Sequence, residues 1–269
     1  MSELTESDVA ARARQFVAAR RSATTLDGYP GAVPDSLDDA YRIQDCAISL
    51  WDDSVVGWKV GQVRIEHREK FGSDRILGPI FKRHVRHASD KPDMPLFDGA
   101  FAVVEAEYIA ILNQDTPTSK AEWTPEEALA VVGDLRVGIE TAGSPVPALN
   151  EYGAAAVVSD FGAHGGLVIG PSIADWPERN LDALECETFV NDVRVGSGGP
   201  RNLDLGIARS IQATLESTAR RGRALKAGHL ISTGATTGVH AARPGDQVRV
   251  CFGSDGEVRC QIKAALPLQ

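Results

Sequence analysis

Hydrophobic and polar positions predict two helices near the amino terminus of the chain. Apolar residues recur on one helical face of residues 7–21, and Ser36 can cap the amino end of a second helix. A loop rich in glycine and proline, residues 25–34, separates the two. We therefore expect a helical N-terminal cap over residues 1–53 and a larger domain over residues 54–269, together forming one structural unit.

The remainder of the chain alternates apolar and polar residues as strands do. Residues 55–61 predict a strand that places Lys59 between two glycines on one face. Two further apolar runs, residues 101–112 and 135–140, are separated by a helix that Thr124 caps, Pro125 starts and Gly133 can end.

The last third of the sequence predicts hairpins around a helix over roughly residues 204–221. Residues 187–195 fold back at Asn191, and residues 247–251 pair with residues 257–262. Because hairpins replace regular βαβ alternation, we expect an α+β fold, with a mixed β-sandwich roll and peripheral helices.

Three carboxylates lie within the two central apolar runs: Glu105 and Glu107 in the first, and Glu140 at the end of the second. Alternation puts Glu105 and Glu107 on the same face of one strand. Ionised carboxylates cost several kcal/mol each to bury without compensation, so a cation beside them is expected. Solvated glutamates are the alternative, which the surrounding valines and isoleucines disfavour. Oxygen ligands suit Mg²⁺ or Mn²⁺, whereas Zn²⁺ prefers histidine and cysteine.

Composition narrows the class of protein. The chain has 269 residues, 43% of them hydrophobic, and a net charge of −9, which excludes global disorder. We expect no nucleic-acid partner because no concentrated basic patch is present, and no membrane span because no apolar run reaches ~20 residues. A cytoplasmic location is expected. The four cysteines are interpreted as reduced thiols, with Cys251 and Cys260 as the best candidates for a disulfide if that is wrong.

Three other features bear on chemistry, each with a structural alternative. Lys59 is either a functional lysine on an uncrowded face or a solvent-facing strand residue. His164, within a glycine-rich segment, is either a catalytic base or a hydrogen-bonded loop residue; that segment lacks the spacing of a nucleotide-binding loop. The turn at Ser232, Thr233 and Gly234 can contact a carboxylate or phosphate, or cap itself.

An ordered series of motifs resembles the 2-keto-4-pentenoate hydratase branch of the fumarylacetoacetate hydrolase superfamily over about residues 40–262. The motifs are AYRIQ (40–44), GWKVG (57–61), GPIF (78–81), EAE (105–107), Glu140, Asp160 with Gly165-Gly166, and GHLISTG (228–234). The resemblance implies a β-roll that binds one Mg²⁺ or Mn²⁺ through Glu105, Glu107 and Glu140. It also implies a homo-oligomer, a dimer or larger.

The substrate implied by the resemblance is a 2-hydroxy-2,4-dienoate, or its 2-oxo tautomer, from the catabolism of aromatic rings. Its carboxylate and 2-oxygen would chelate the metal, and water would add to give a 4-hydroxy-2-oxo acid. The residues implied in catalysis are Lys59, with a pKa lowered by burial near the metal, Asp160 and His164. Those implied in substrate binding are Gly61, Leu77, Gly78, Ser232, Thr233 and Gly234.

The sequence departs from the family pattern where an acid would assist the lysine. An expected Asp-Phe-Gly is replaced by Ile76-Leu77-Gly78, and a familiar Asp-Asn pair becomes Asp160-Phe161. Two alternatives keep the metal site: decarboxylation of a 2-oxo dioate, and hydrolytic C–C cleavage of an acylpyruvate, for which Glu66-His67 could activate water unless it lies on a solvated helix. A third is a non-catalytic homologue that binds a 2-oxo acid or assembles with a decarboxylase. The intact glutamates and Lys59 argue against the third.

Overall fold

Two mixed sheets and several helices make up the part of the chain that the computed structural model describes, residues 4–268. The helices are α1 (Glu6–Ser22), α2 (Leu37–Leu50), α3 (Ile65–Phe71), α4 (Pro125–Ala130), α5 (Ala154–Ser159) and α6 (Gly206–Arg220). The strands are β1 (Val55–Gln62), β2 (Arg75–Phe81), β3 (Val85–His87), β4 (Asp93–Leu96), β5 (Phe101–Leu112), β6 (Val132–Ser144), β7 (His164–Ser172), β8 (Cys186–Val190), β9 (Val193–Gly198), β10 (Leu230–Ser232), β11 (His240–Ala241), β12 (Gln247–Cys251) and β13 (Glu257–Ala264).

The larger sheet has the strand order β2-β1-β10-β5-β6-β7-β3, and β11 also pairs with β5. It is mixed, because β1–β10 and β3–β7 are parallel while β5–β6 and β6–β7 are antiparallel. The smaller sheet has the order β4-β13-β12-β8-β9. This arrangement confirms the expected α+β fold with a mixed β-roll.

Apolar side chains from both sheets form the main core between them. Tyr108 of β5 meets Phe252, which follows β12, edge to face at 5.5 Å between ring centroids. Val137 of β6 and Val258 of β13 are fully buried in the same cluster. The long β5–β6 pair therefore runs through the middle of the molecule, with one face in this core.

The two N-terminal helices pack against each other and against the larger sheet. Thr5 and Ser36 cap them, each accepting a hydrogen bond from a backbone N–H three residues later. Phe16 of α1 and Phe81 of β2 belong to one buried cluster, so the cap and the sheet share apolar core. The domain boundary at residue 53 stays a prediction.

Gln44 of α2 links the cap to two other elements by hydrogen bonds. Its buried side-chain amide donates to the carbonyls of Leu77 on β2, at 2.8 Å, and Val158 on α5, at 2.9 Å. Gln44 belongs to the AYRIQ motif, and Tyr41 of the same motif accepts a hydrogen bond from the Leu77 N–H. This motif therefore positions β2.

Several predicted boundaries shift once strands pair. Strand β6 extends on both sides of the predicted run because it pairs with β5 almost throughout, so Gly133 lies in the strand and α4 ends at Ala130. The cysteines are free, and register separates Cys251, opposite Glu257, from Cys260, opposite Val248. Within residues 4–268, no helix has the length and apolarity needed to cross a bilayer.

We predict that Gln44→Met lowers the free energy of unfolding by roughly 2–4 kcal/mol, because it leaves two buried carbonyls without these donors. Methionine nearly preserves the volume, so the loss reports mainly on the hydrogen bonds. Chemical denaturation measures the change. Ser49→Ala on the exposed side of α2 is the control and is expected to stay within about 0.5 kcal/mol of the unchanged protein.

Candidate metal centre

Strand register brings the three predicted carboxylates together. Glu105 of β5 lies directly opposite Glu140 of β6, and Glu107 lies opposite Gly138. One oxygen of each glutamate lies within 4.8 Å of the others. Glu107 and Glu140 are fully buried, and Glu105 is 8% exposed. The face alternation inferred from sequence therefore produces a compact acidic cluster.

Lys59 of β1 reaches this cluster from the other side. Its Nζ lies 3.2 Å from Glu140 Oε1, and its side chain is buried. Lys59 is therefore not a solvent-facing strand residue. Burial alone would lower the pKa of Lys59, but the charges of Glu140, Glu105 and Glu107 outweigh it and raise this pKa. The lowered pKa expected beside a bound metal stays a prediction.

The turn after β10 orients Glu107. The Ser232 hydroxyl and the Gly234 N–H, the latter at 3.0 Å, both donate to Glu107 Oε2. Thr233 instead bonds the backbone carbonyl of Tyr108 through its N–H and its hydroxyl. The structure gives these three residues a positioning role, and their contact with a substrate stays a prediction.

The carboxylates have the properties expected of metal ligands. Among residues 4–268, Glu107 Oε1 and Glu140 Oε2 are buried without a hydrogen-bond partner. Burial raises the pKa of Glu105 to about 7 against the opposing charge of Lys59, and burial and neighbouring carboxylates raise that of Glu107 well above its usual value. Three carboxylates and one ammonium carry a net charge of −2, which one divalent cation balances. The oxygen-only donor set fits Mg²⁺ or Mn²⁺.

His164 and Asp160 lie beside the cluster rather than at its centre. His164 is the first residue of β7, not a loop residue, and its Nδ1 lies 3.9 Å from Glu140 Oε1. Burial and the charges of Lys59 and Arg20 lower its pKa to about 3, so the imidazole is neutral. Asp160 is fully buried and paired with Arg20 at 2.5 Å. Sequence patterning gave no signal for Arg20.

A cavity of about 650 Å³ opens beside Lys59 and Glu105. Its wall includes the predicted Gly61 together with Ile76, which replaces the expected acid. Polar side chains that sequence reasoning did not assign to the site also line it: Gln62, Arg64, Asn150, Glu151, Asn202 and Thr237. Arg64 lies just beyond the end of β1, the strand that carries Lys59. This closeness in sequence is the feature that could have predicted Arg64 in the cavity wall.

Alternation along β2 separates the remaining predicted residues. Ile76 faces the cavity, while Leu77 and Arg75 line a second cavity on the other side of the strand. Leu77 is thus not brought to the site. Asp74 pairs with Arg209 and Arg75 on that second side and does not replace the missing acid.

Gly78 and Gly162 permit a close backbone contact. A Cβ on Gly78 would lie 2.2 Å from the carbonyl oxygen of Phe161, and one on Gly162 would lie 2.7 Å from the Cα of Gly78. A Cβ on Gly162 would also lie 3.3 Å from Lys59 Cδ, so the backbone of Gly162 is close to the lysine side chain. Gly78 therefore lets the segment before β7 approach the lysine, and its predicted contact with a substrate stays a prediction.

Comparison with known proteins agrees with the fold. Residues 90–263 match the family described as fumarylacetoacetate (FAA) hydrolase C-terminal. The chain belongs to this family. It is 27% identical over 241 residues to a 2-keto-4-pentenoate hydratase of Paraburkholderia xenovorans (strain LB400), covering 85% of each sequence. A 2-keto-4-pentenoate hydratase 3 of Pseudomonas putida matches to the same extent.

Solved structures share the fold. That of 4-oxalocrotonate decarboxylase from Pseudomonas putida G7, complexed with magnesium and adipate, superposes with a TM-score of 0.79 at 20% identity, covering 96% of this chain and 98% of the other. Fumarylpyruvate hydrolase from Pseudomonas aeruginosa, in complex with Mn²⁺ and pyruvate, gives a TM-score of 0.55 at 15% identity, covering 80% and 93%. The predicted superfamily is confirmed.

We predict that Glu107→Gln weakens Mg²⁺ or Mn²⁺ binding by more than about 100-fold, beyond the loss usual for an outer hydrogen-bond partner. Calorimetric titration measures the affinity. Without metal the variant should be at least as stable as the unchanged protein, because an uncharged amide replaces a carboxyl whose ionised form is disfavoured by burial and by neighbouring carboxylates. Glu69→Gln on the exposed face of α3 is the matched control. Equal affinity in the two variants would remove Glu107 from the ligand set.

Proposed function

We propose that the protein is a divalent-metal-dependent lyase that hydrates a 2-hydroxy-2,4-dienoate, or its 2-oxo tautomer, to a 4-hydroxy-2-oxo acid. The observation that carries the proposal is the buried cluster of Glu105, Glu107 and Glu140 with Lys59 in ion-pair contact, at the wall of one cavity. The hydratase names of the curated relatives support the same reaction.

The three glutamates would hold Mg²⁺ or Mn²⁺. Solved structures of the same fold contain magnesium, calcium or Mn²⁺ together with a carboxylic acid, which supports this assignment. When bound, the ion supplies a Lewis acid for the 2-oxygen of the substrate. The substrate carboxylate would lie beside the ion and Lys59, leaving the hydrocarbon chain of the substrate to extend along the cavity.

Lys59 is the candidate catalytic acid. Its ion pair with Glu140 stabilises the charged ammonium, and Lys59 lines the cavity that the diene would enter. Ketonisation moves one proton, in net terms, from the 2-hydroxyl to a carbon of the diene. Solvent water would take the hydroxyl proton, and Lys59 Nζ would give a proton to carbon and regain one from water. The apolar wall at Ile76, Phe101 and Val157 suits a hydrocarbon chain.

Direct catalytic roles for His164 and Asp160 have less support. Neither lines the cavity, and Asp160 is held by Arg20. The neutral His164 can accept a proton, but its closest site partner is Glu140. We infer that His164 influences the orientation and charge of Glu140, and that water reaches the substrate from the cavity side.

Decarboxylation of a 2-oxo dioate is a second candidate, favoured by one observation. Ile76 places an apolar side chain where hydration is expected to use an acid, and decarboxylation needs no added water. The match to 4-oxalocrotonate decarboxylase adds support. Hydrolytic C–C cleavage has less, because only His67 of the Glu66-His67 pair reaches the cavity wall and α3 contains no buried residue. A homo-oligomer and a cytoplasmic location stay predictions.

We predict that purified protein with Mg²⁺ or Mn²⁺ consumes freshly generated 2-hydroxypenta-2,4-dienoate and forms 4-hydroxy-2-oxopentanoate. Ultraviolet absorbance follows loss of the dienol, and NMR identifies the product. A parallel reaction with 4-oxalocrotonate tests for release of CO₂. Ketonisation without water addition, together with CO₂ release, would replace hydration by decarboxylation. Inertness with bound metal would favour the non-catalytic homologue.

We predict that Lys59→Met retains metal binding and lowers kcat by about 10²–10⁴-fold, the range for loss of a general acid. Steady-state kinetics and a metal titration of the same preparation measure both effects. Lys70→Met, on exposed α3, is the control. A kcat equal to that of the control would exclude Lys59 as the catalytic acid. Its remaining role would be to balance the charge of the glutamates.

A further inference from the structure

The segment that joins α5 to β7 contains three consecutive residues in the left-handed region. Phe161, Gly162 and Ala163 have φ angles of 53°, 63° and 60°. Phe161 and Ala163 are not glycines, and such residues seldom adopt this backbone conformation. The surrounding structure must therefore stabilise the segment. We call residues 161–163 the left-handed turn.

Arg20 of α1 binds both ends of the left-handed turn. At the first end its Nε and Nη2 donate to the Asp160 carboxylate at 2.5 and 2.9 Å, and Nη2 also contacts the Asp160 carbonyl at 3.2 Å. At the other end Nη1 donates to the carbonyl of His164 at 3.0 Å. A further bond, 2.8 Å from Nη2 to the carbonyl of Gly143, fixes the guanidinium to β6.

The chemistry of this contact requires a guanidinium. Arg20 is 8% exposed, and its Cζ lies 5.3 Å from the centre of the Phe161 ring, which covers it. A planar fork can donate to a carboxylate and to carbonyls on two sides at once, whereas a lysine ammonium is a single point. Arg20 therefore fixes the separation of Asp160 and His164.

The left-handed turn and the residue after it lie beside the two members of the central ion pair, Lys59 and Glu140. The backbone of Gly162 is close to the Lys59 side chain, and Gly162 and Ala163 line the cavity. The next residue, His164, lies 3.9 Å from Glu140. A change in the turn would therefore be transmitted to Lys59 on one side and to Glu140 on the other.

We propose that Arg20 is a positioning residue of the site, and that Asp160 is its anchor. By holding the two ends of the left-handed turn, Arg20 keeps Gly162 against Lys59 and keeps His164 beside Glu140. The helical cap thereby takes part in building the site. Where the inference concerns turnover, it rests on the proposed function.

The test uses Arg20→Ala and Arg20→Lys in the full chain, with Arg21→Ala as the matched control. Arg21 lies next on the same helix and donates to an exposed carbonyl, that of Leu50. Two readouts need no activity: hydrogen exchange of the peptide spanning residues 158–166, and acetylation of Lys59 by acetic anhydride, followed by mass spectrometry. Both are expected to be faster by about tenfold or more in the Arg20 variants, because the turn opens locally.

Kinetics then separate positioning from general loss of structure. We expect kcat to fall by roughly 10–100-fold, as for a displacement of about 1 Å, and the calorimetric affinity for Mg²⁺ to fall by about tenfold, at the low end of the loss for a residue outside the ligand set. Added guanidinium should restore part of the kcat of Arg20→Ala and none of that of Arg20→Lys, whose ammonium occupies the space.

Each outcome decides the inference. Exchange and acetylation equal to those of Arg21→Ala, or a kcat equal to that control, would overturn it. If Arg20→Ala does not fold, Arg20→Lys and Asp160→Asn are judged by the same two labelling measurements. If the unchanged protein is inactive on every substrate, the proposed function fails, while the labelling results still decide whether Arg20 holds the turn.

Discussion

The burial of three carboxylates around one lysine is the constraint on which the rest of the site depends. Ionised groups in a low-dielectric interior are tolerated only when opposite charges and hydrogen bonds surround them. Lys59 supplies one charge, and Ser232 and Gly234 supply donors to Glu107. Among the residues that the structure describes, Glu107 Oε1 and Glu140 Oε2 are left without hydrogen-bond partners and are available to a divalent cation. The same buried carboxylates thus account for the charge of the site and for its fit to a metal.

Local patterning predicted the elements that carry this cluster. Alternation in β5 was enough to place Glu105 and Glu107 on one face, and the observed bounds of β5 are those of the apolar run. The direct pairing of Glu105 with Glu140 depends on the register between β5 and β6. The sequence between the two apolar runs, which contains α4 and Gly133, does not determine that register. The sequence pattern therefore predicts that the ligands are carboxylates, whereas the distances between these carboxylates depend on how β5 and β6 pair.

Contacts between distant segments were beyond the reach of such patterns. Arg20 and Asp160 are 140 positions apart, and nothing in a single sequence links an arginine late in an amphipathic helix to a distant aspartate. The prediction for Leu77 fails for a related reason. Ile76 and Leu77 are adjacent in the sequence motif, but alternation along β2 places their side chains on opposite sides of the strand. The same limit applies to Ser232 and Gly234: their motif is visible in the sequence, but their hydrogen bonds to Glu107, 125 or more positions away, are not.

The pairing of β5 with β6 also has a consequence for the order in which the molecule assembles. All three carboxylates lie on β5 and β6, within about forty residues of chain. The acidic part of the site can therefore form through contacts of short sequence separation. Lys59 comes from far upstream, and Ser232 and Gly234 from far downstream. A partly folded chain in which β5 and β6 have paired before β1 joins the sheet would thus gather negative charge without Lys59. A divalent cation bound at that stage would stabilise the paired strands.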